Sequence, residues 1–202
     1  MFKRQAAGEL TVPLSLRFGG VLVERAGYSG VTLSLGGEKL CIDVLEPRGC
    51  SAVLYSHSHP RHAPGVVPRE ALAPFLGSVK PGSQVDLGWA RVEAVEAYNP
   101  WEGAPHPKGF GVGFLVELGG LRVYYAGDTS FVEELSSLPA GLEVAVLPVG
   151  GGAVMTPEEA FEAVRTLKPV LTLPVHFDDE KLYWKFKVLA QPYTQVAALK
   201  VR

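Results

Sequence analysis

All five histidines of this 202-residue chain lie where a metal site could use them, and this limits the folds that the chain can adopt. His57, His59 and His62 fall within six residues, while His106 and His176 each lie near a glycine- or proline-rich strand end. Neutral imidazole is the commonest metal ligand in proteins. A single histidine taken alone could be a buried or solvated polar residue, but the clustering favours coordination. The fold should then bring distant strand ends together.

Composition excludes several classes of protein. The chain is 47% hydrophobic and 20% charged, so it is globular, and the absence of a linker predicts a single domain over residues 1–202. A net charge of -2 without a basic run does not indicate nucleic-acid binding. No apolar stretch is long enough to span a membrane, and the N-terminal residues do not form a secretory signal. The oligomeric state stays open.

Two cysteines do not make a disulfide framework in a chain of this length. Cys41 lies inside an apolar, strand-like run, and Cys50 follows nine residues later. We therefore predict two reduced thiols in a cytoplasmic protein.

Two predicted hairpins resemble each other. Short strands over 10–16 and 20–26 precede the first, which turns at Gly36-Gly37, and the second turns at Gly119-Gly120. Each hairpin ends in apolar residues followed by an aspartate, at position 43 in the first and 128 in the second. The repeat predicts two related β-rich halves that pack on each other, with ligands bound where their strand ends meet.

The strongest helix prediction begins at Thr156, an N-cap followed by Pro157 and by Glu159 in the position of a capping box. Apolar residues then recur at helical spacing as far as residue 167. Residues 67–76 also have a helical pattern, although two prolines interrupt it, and residues 131–138 predict a short helix.

The H-x-H pair lies on an extended segment, where side chains repeat with period two, so His57 and His59 can bind one metal ion together. His62 lies past a proline and can reach a second ion. Asp128 follows a strand and a glycine, which suits a carboxylate that bridges two cations. Asp128 could equally be the N-cap of the helix near Phe131.

Together these residues resemble the metallo-β-lactamase superfamily over roughly residues 30 to 177. The matching motifs are His57-x-His59-x-Arg61-His62 for the family's H-x-H-x-D-H, His106 for its third histidine, Asp128 in Ala-Gly-Asp-Thr for its bridging aspartate, and His176 in Leu-Pro-Val-His-Phe for its last histidine. Residues 147–152 and 155–160 are similar to the small metal-dependent hydrolases that include ascorbate-phosphate lactonase-like proteins. The resemblance implies an α/β fold, a four-layer αβ/βα sandwich with the metal site at the shared edge of its halves.

Arg61 stands where the family has an aspartate, which in the family binds the second metal ion and helps to orient or deprotonate water. Arginine stays protonated and offers only hydrogen-bond donors. The second site is then weakened, with fewer than two ions expected per chain, or Arg61 turns outward and another residue supplies the ligand.

The resemblance implies a hydrolase that uses zinc-activated water on an ester-type bond such as a lactone or phosphodiester, with one or two ions and with Mn or Fe as possible substitutes. Asp128 and Arg61 are the predicted catalytic residues. Arg61 and Lys108, if they face the cavity, favour an anionic small-molecule substrate. The alternative is a non-catalytic metal-binding scaffold with a degenerate second site. A cupin-like iron protein also uses H-x-H on a strand, but it needs a carboxylate a few residues further on, and none is present there.

Overall fold

Two β-sheets face each other in the computed structural model, which describes residues 15–200. The first sheet contains β1 (Ser15–Phe18), β2 (Val21–Ala26), β3 (Gly30–Leu35), β4 (Glu38–Ile42) and β5 (Ala52–Leu54), in chain order. The second contains β6 (Gln84–Asp86), β7 (Ala90–Ala97), β8 (Gly111–Leu118), β9 (Leu121–Tyr125), β10 (Val144–Pro148), β11 (Leu171–Val175) and β12 (Gln195–Val196), also in chain order. The strand predicted over 10–16 lies outside the described residues except at its end, where β1 begins.

Both predicted Gly-Gly hairpins are present, one in each sheet. Strands β3 and β4 turn at Gly36-Gly37, and β8 and β9 turn at Gly119-Gly120. The four glycines have φ between 56° and 95°, the left-handed region that a tight two-residue turn requires.

A buried apolar cluster fills the space between the sheets. Val23 and Leu33 of the first sheet belong to the same cluster as Phe114, Val116 and Val123 of the second. The helices α1 (Pro157–Leu167) and α2 (Glu180–Ala190) form a second cluster with the opposite face of the second sheet. The αβ/βα sandwich expected from the sequence is confirmed.

The outer face of the first sheet is covered differently. Ala63, Ala71 and Ala73, from an irregular segment, pack there on Val53 and Tyr55, and both α-helices of residues 15–200 lie on the second sheet. The prediction of a helix over 67–76 is therefore wrong. Only a 3₁₀ turn forms at its end, because its two prolines each lack the N–H that a helix interior needs.

The capping box of α1 is confirmed. The Thr156 hydroxyl accepts a hydrogen bond from the Glu159 N–H at 3.2 Å, and the Thr156 N–H donates to the Glu159 carboxylate at 2.8 Å. Pro157 occupies the first turn, where its missing N–H costs nothing. The short helix predicted over 131–138 is a 3₁₀ turn over Glu133–Ser137.

Cys41 and Cys50 form a disulfide, so the prediction of two reduced thiols is wrong. Strand β5 returns parallel to β4, and the loop between them brings Cys50 back beside Cys41, with 6.0 Å between their Cα atoms. That spacing is ordinary for a disulfide. The local sequence could not show this return of the chain, which depends on strand pairing.

The fold also explains why one edge collects the polar residues. Strands β9, β10 and β11 are parallel, and β7 runs in the same direction because it is separated from β9 by antiparallel β8. The segments that follow β7, β9 and β11 therefore leave the second sheet at the same edge. Neither α-helix of residues 15–200 is long and apolar enough to cross a membrane.

Candidate metal centre

The structure places all six predicted metal-binding side chains close together at this edge. Their ligand atoms form three overlapping groups, and within each group all ligand atoms lie within 4.8 Å of one another. The groups are His57 with His59 and His62; His57 with His106 and Asp128; and His62 with Asp128 and His176.

Asp128 lies at the centre of the cluster. Its Oδ2 is 3.6 Å from His57 Nε2, 3.5 Å from His106 Nε2 and 3.1 Å from His176 Nε2, while its Oδ1 is 3.4 Å from His62 Nε2. One oxygen therefore faces three imidazoles, and the other faces His62. Burial raises its pKa, but the His176 hydrogen bond and the nearby histidines outweigh this and lower the pKa to about 2.

Asp128 does not cap a helix, so the alternative role predicted for it is wrong. The 3₁₀ turn after it is capped by Val132, without a side-chain hydrogen bond. Gly127 lets the chain approach β8 closely, since a Cβ there would lie 2.8 Å from the Val112 carbonyl oxygen, and its φ is 65°. This close approach places Asp128 among the histidines.

Hydrogen bonds at Nδ1 leave the Nε2 atoms of two buried histidines directed at Asp128. The Nδ1 of His57 lies 2.9 Å from the Ser56 hydroxyl, and that of His106 lies 3.1 Å from the Ala153 carbonyl and 3.2 Å from the Asn99 side-chain oxygen. Such partners select the tautomer whose Nε2 can bind a metal. Burial, followed by repulsion from His62, lowers the pKa of His57 to about 4, which favours the neutral ring.

Asp43 holds the third buried histidine, a role that the sequence analysis does not assign. Its carboxylate accepts hydrogen bonds from His62 Nδ1, the Tyr125 hydroxyl and the Ser56 N–H, each at 2.7 Å, and from the Ser56 hydroxyl at 2.5 Å. Burial lowers the pKa of His62, but the hydrogen bond and charge of Asp43 raise it more. A usable indication was present in the sequence, because Asp43 and Asp128 end the two similar hairpins.

Several buried polar atoms at the centre have no hydrogen-bond partner among the described residues. They are His57 Nε2, His62 Nε2 and Asp128 Oδ1. A buried polar atom without a hydrogen-bond partner lowers the stability of the folded state, and folded proteins contain few such atoms. Here these atoms converge, and imidazole nitrogen with carboxylate oxygen is a donor set for Zn, Mn or Fe. The residues thus fit a metal centre.

His59 completes the H-x-H pair from the solvent side. Its ring centroid lies 5.9 Å from that of His57 in a nearly parallel arrangement and 6.5 Å from that of His106. His59 is exposed, whereas the other two are buried. His57 thus joins two groups of ligands, one with His106 and Asp128 and one with His59 and His62, beside the group of His62, Asp128 and His176.

Arg61 lies on the rim and turns outward. Its guanidinium donates to Asp178 at 3.2 Å and stacks over the ring of Tyr28 at 4.3 Å, and half of its side chain is exposed. Of the two alternatives for Arg61, the structure shows the outward direction, but among the described residues no further ligand joins His62, Asp128 and His176. Asp178 also offsets its charge.

Lys108, the other predicted cation of the site, is paired as well. Its amine donates to Glu134 at 2.6 Å and lies 3.8 Å from Glu96. Phe110 was not predicted from the sequence; its ring lies 5.9 Å from those of both His57 and His106, and the residue is 40% exposed. An exposed aromatic ring therefore lies beside His57 and His106, and both predicted cations of the site already have acidic partners.

Fold and ligands together define a metal-binding αβ/βα sandwich. A family model described as the Beta-lactamase superfamily domain matches residues 25–176, more than half of the chain. The chain therefore belongs to this superfamily.

Relatives agree with this placement. An Opitutus terrae protein named a metal-dependent hydrolase is 28% identical over 187 residues, which is 75% of this chain and 82% of that protein. A crystal structure from Parabacteroides distasonis, also named for metal-dependent hydrolysis, has a TM-score of 0.79 at 23% identity, covering 93% of this chain and 98% of the other. CmlA, a diiron β-hydroxylase from Streptomyces venezuelae, shares the fold with a TM-score of 0.64 at 14% identity, covering 96% of this chain and 54% of CmlA.

Proposed function

We propose that this chain is a metal-dependent hydrolase that binds zinc and acts on an ester-type bond of a small anionic molecule. Hydrolase activity and metal dependence are common to the names of its relatives. The main support for a metal centre is that buried nitrogen and oxygen atoms without hydrogen-bond partners lie together around Asp128.

Two ions fit the ligand groups. His57, His106 and Asp128 would hold the first, with His59 added as the other histidine of the H-x-H pair, and His62, Asp128 and His176 would hold the second. Bound zinc supplies hydroxide at near-neutral pH and polarises a carbonyl or phosphoryl oxygen. The second group has one protein ligand fewer, so we expect its ion to bind more weakly.

Asp128 serves as the bridging ligand in this proposal. Its lowered pKa keeps the carboxylate ionised, which suits a ligand. A carboxylate with a pKa near 2 is a weak base at neutral pH, so proton removal by Asp128 is the less favoured of its two predicted roles.

Arg61 is the residue that we propose for binding an anionic group of the substrate. Its guanidinium is half exposed at the mouth, and an incoming phosphate or carboxylate can compete with Asp178 for its N–H donors. Lys108 contributes less, because Glu134 and Glu96 already neutralise it. Phe110 supplies an apolar surface for the rest of the substrate.

Zinc is proposed because imidazole and carboxylate ligands suit it, although the same donors bind manganese and iron. The fold does not choose between them, since the diiron enzyme CmlA shares it. A cytoplasmic location stays a prediction. The disulfide removes the thiol argument for it, because disulfides are rare in the cytosol of mesophiles.

The non-catalytic scaffold remains the second candidate, because Arg61 replaces a carboxylate next to the group with three ligands. It predicts bound metal without turnover. The hydrolase predicts turnover that follows metal content.

The deciding experiment measures zinc, manganese and iron per chain in protein purified without added metal, by mass spectrometry. Metal-free protein is then reloaded with each ion and tested on lactones, phosphodiesters and neutral carboxylic esters. We expect zinc-dependent turnover, fastest on an anionic substrate, and a preference over its neutral analogue that shrinks in Arg61→Gln. Bound metal with no turnover on any substrate would establish the scaffold, and no bound metal would refute both candidates.

A further inference from the structure

Three consecutive residues after β11 are each held by the opposite sheet or its loops. The ring of His176 meets that of Tyr28 edge-on, with centroids 4.6 Å apart and planes at 62°. The Tyr28 hydroxyl donates to Asp178 at 3.1 Å. Phe177, between them, lies under the guanidinium of Arg25 at 5.4 Å.

Tyr28 is itself held on two sides. Arg61 covers one face of its ring, and Arg25 donates to its carbonyl oxygen at 3.0 Å. Cation–π stacking and the Asp178 hydrogen bond together leave the ring little freedom. The orientation of Tyr28 is therefore fixed by charged neighbours on three separate segments of the chain.

His176, which is partly exposed, lacks the support that the three buried histidines have. Its Nδ1 is buried without a hydrogen-bond partner among the described residues, whereas Asp43, Ser56 and Ala153 provide partners for the others. Its backbone is left-handed, with φ of 55°, which is uncommon for a residue other than glycine and raises the energy of this conformation. Something other than an Nδ1 hydrogen bond must hold its ring.

We propose that Tyr28 is the positioning residue for His176, and that its ring contact does for the second metal ion what Asp43 does for His62 by a hydrogen bond. The proposal rests on the proposed function, because it requires an ion at His62, Asp128 and His176. Partners that orient metal-binding histidines affect metal affinity by about ten- to a hundredfold. Tyr28 also explains why Arg61 and Asp178 lie where they do, since both act on its ring or hydroxyl.

The test compares Tyr28→Leu with Tyr28→Phe. Metal-free protein is titrated with zinc against a competing chelator, and with cobalt by absorption, so that two binding steps are resolved. Tyr28→Leu replaces the ring with an aliphatic side chain, and we expect the weaker step to lose about ten- to a hundredfold in affinity. Tyr28→Phe keeps the ring and should retain most of that affinity.

Controls separate positioning from a general loss of structure. Thermal unfolding of the metal-free variants identifies any that do not fold, and His176→Ala defines complete loss of the weaker step. Adding Tyr28→Leu to His176→Ala should change nothing further. The tighter step, at His57, His59, His106 and Asp128, should stay within about threefold of wild type, because Tyr28 contacts none of the three histidines of that group.

The outcomes are distinguishable. A wild-type protein with two steps, and a Tyr28→Leu variant that keeps both or weakens both equally, would overturn the positioning role and leave the proposed function intact. A folded Tyr28→Phe variant as weak as Tyr28→Leu would also overturn it. A wild-type protein that binds one ion or none would refute the second metal site and the inference with it.

Discussion

Asp43→Asn tests how the fold prepares His62 for metal. Asparagine has the same shape and tolerates the left-handed backbone of this position, where φ is 51°. Its carbonyl oxygen can still accept the Ser56 N–H. Its NH₂ group, however, replaces the oxygen that accepts from His62, from the Ser56 hydroxyl and from the Tyr125 hydroxyl. The amide N–H donors of the new asparagine would then face three groups that are themselves hydrogen-bond donors.

The hydroxyls can turn away, and that of Tyr125 has the Ser29 carbonyl 3.3 Å away. His62 can avoid the amide only by moving its proton from Nδ1 to Nε2, the nitrogen that faces Asp128 at 3.4 Å. That tautomer cannot bind an ion there. We therefore expect the weaker of the two metal-binding steps to lose about ten- to a hundredfold in affinity, roughly 1.4–2.7 kcal/mol.

Isothermal titration of metal-free protein with zinc, with a competing chelator, measures both steps. The tighter step should change much less, because Asp43 reaches His57 only through the Ser56 hydroxyl. Asp86→Asn, at an exposed aspartate that bonds the Gly88 N–H, is the matched control. If the weaker step of Asp43→Asn stays within about twofold of wild type, tautomer control by Asp43 is refuted.

Three further changes test other parts of the structure. Asp128→Asn should abolish the weaker step and reduce the tighter one, because both ligand groups include this carboxylate; unchanged metal content by mass spectrometry would contradict the bridging role. Replacing both Cys41 and Cys50 by serine should destabilise the fold by about 2–3 kcal/mol, from the entropy of closing a loop this short, and chemical denaturation would show it; an unchanged unfolding midpoint would contradict the disulfide. Thr156→Ala should lower stability by about 1 kcal/mol through loss of the capping box, with Thr156→Ser, which keeps a hydroxyl, close to wild type in the same assay.

Features that depend on neighbouring residues were predictable from the sequence. The Gly-Gly turns need positive φ, and the capping box is a local exchange of hydrogen bonds, so each follows from a few adjacent residues. The histidines could be assigned to one site because three of them fall within six residues and the other two lie near predicted strand ends. The resemblance to a known family then supplied the remaining order of ligands.

Features that depend on distant residues were not predictable in the same way. The outward direction of Arg61 is set by Asp178 and Tyr28, which are far from it in sequence. Cys50 meets Cys41 only because β5 pairs with β4 in parallel. Helix α2 is missing from the sequence-based prediction, since its aromatic and lysine residues alternate over 184–187 as they would in a strand, yet Asp179 caps it and its apolar side chains pack on the second sheet.

The ligands come equally from the two sheets, and this has a mechanical consequence. His57, His59 and His62 follow β5 of the first sheet, whereas His106, Asp128 and His176 belong to segments of the second. The two ligand groups that include Asp128 each draw on both sheets, so an ion bound there would link the two halves of the sandwich across their open edge. Separating the sheets there requires breaking coordinate bonds, and by mass action the ion favours the closed arrangement. Neither half of the chain can complete the centre by itself, and loading it should slow the rate at which the two sheets part.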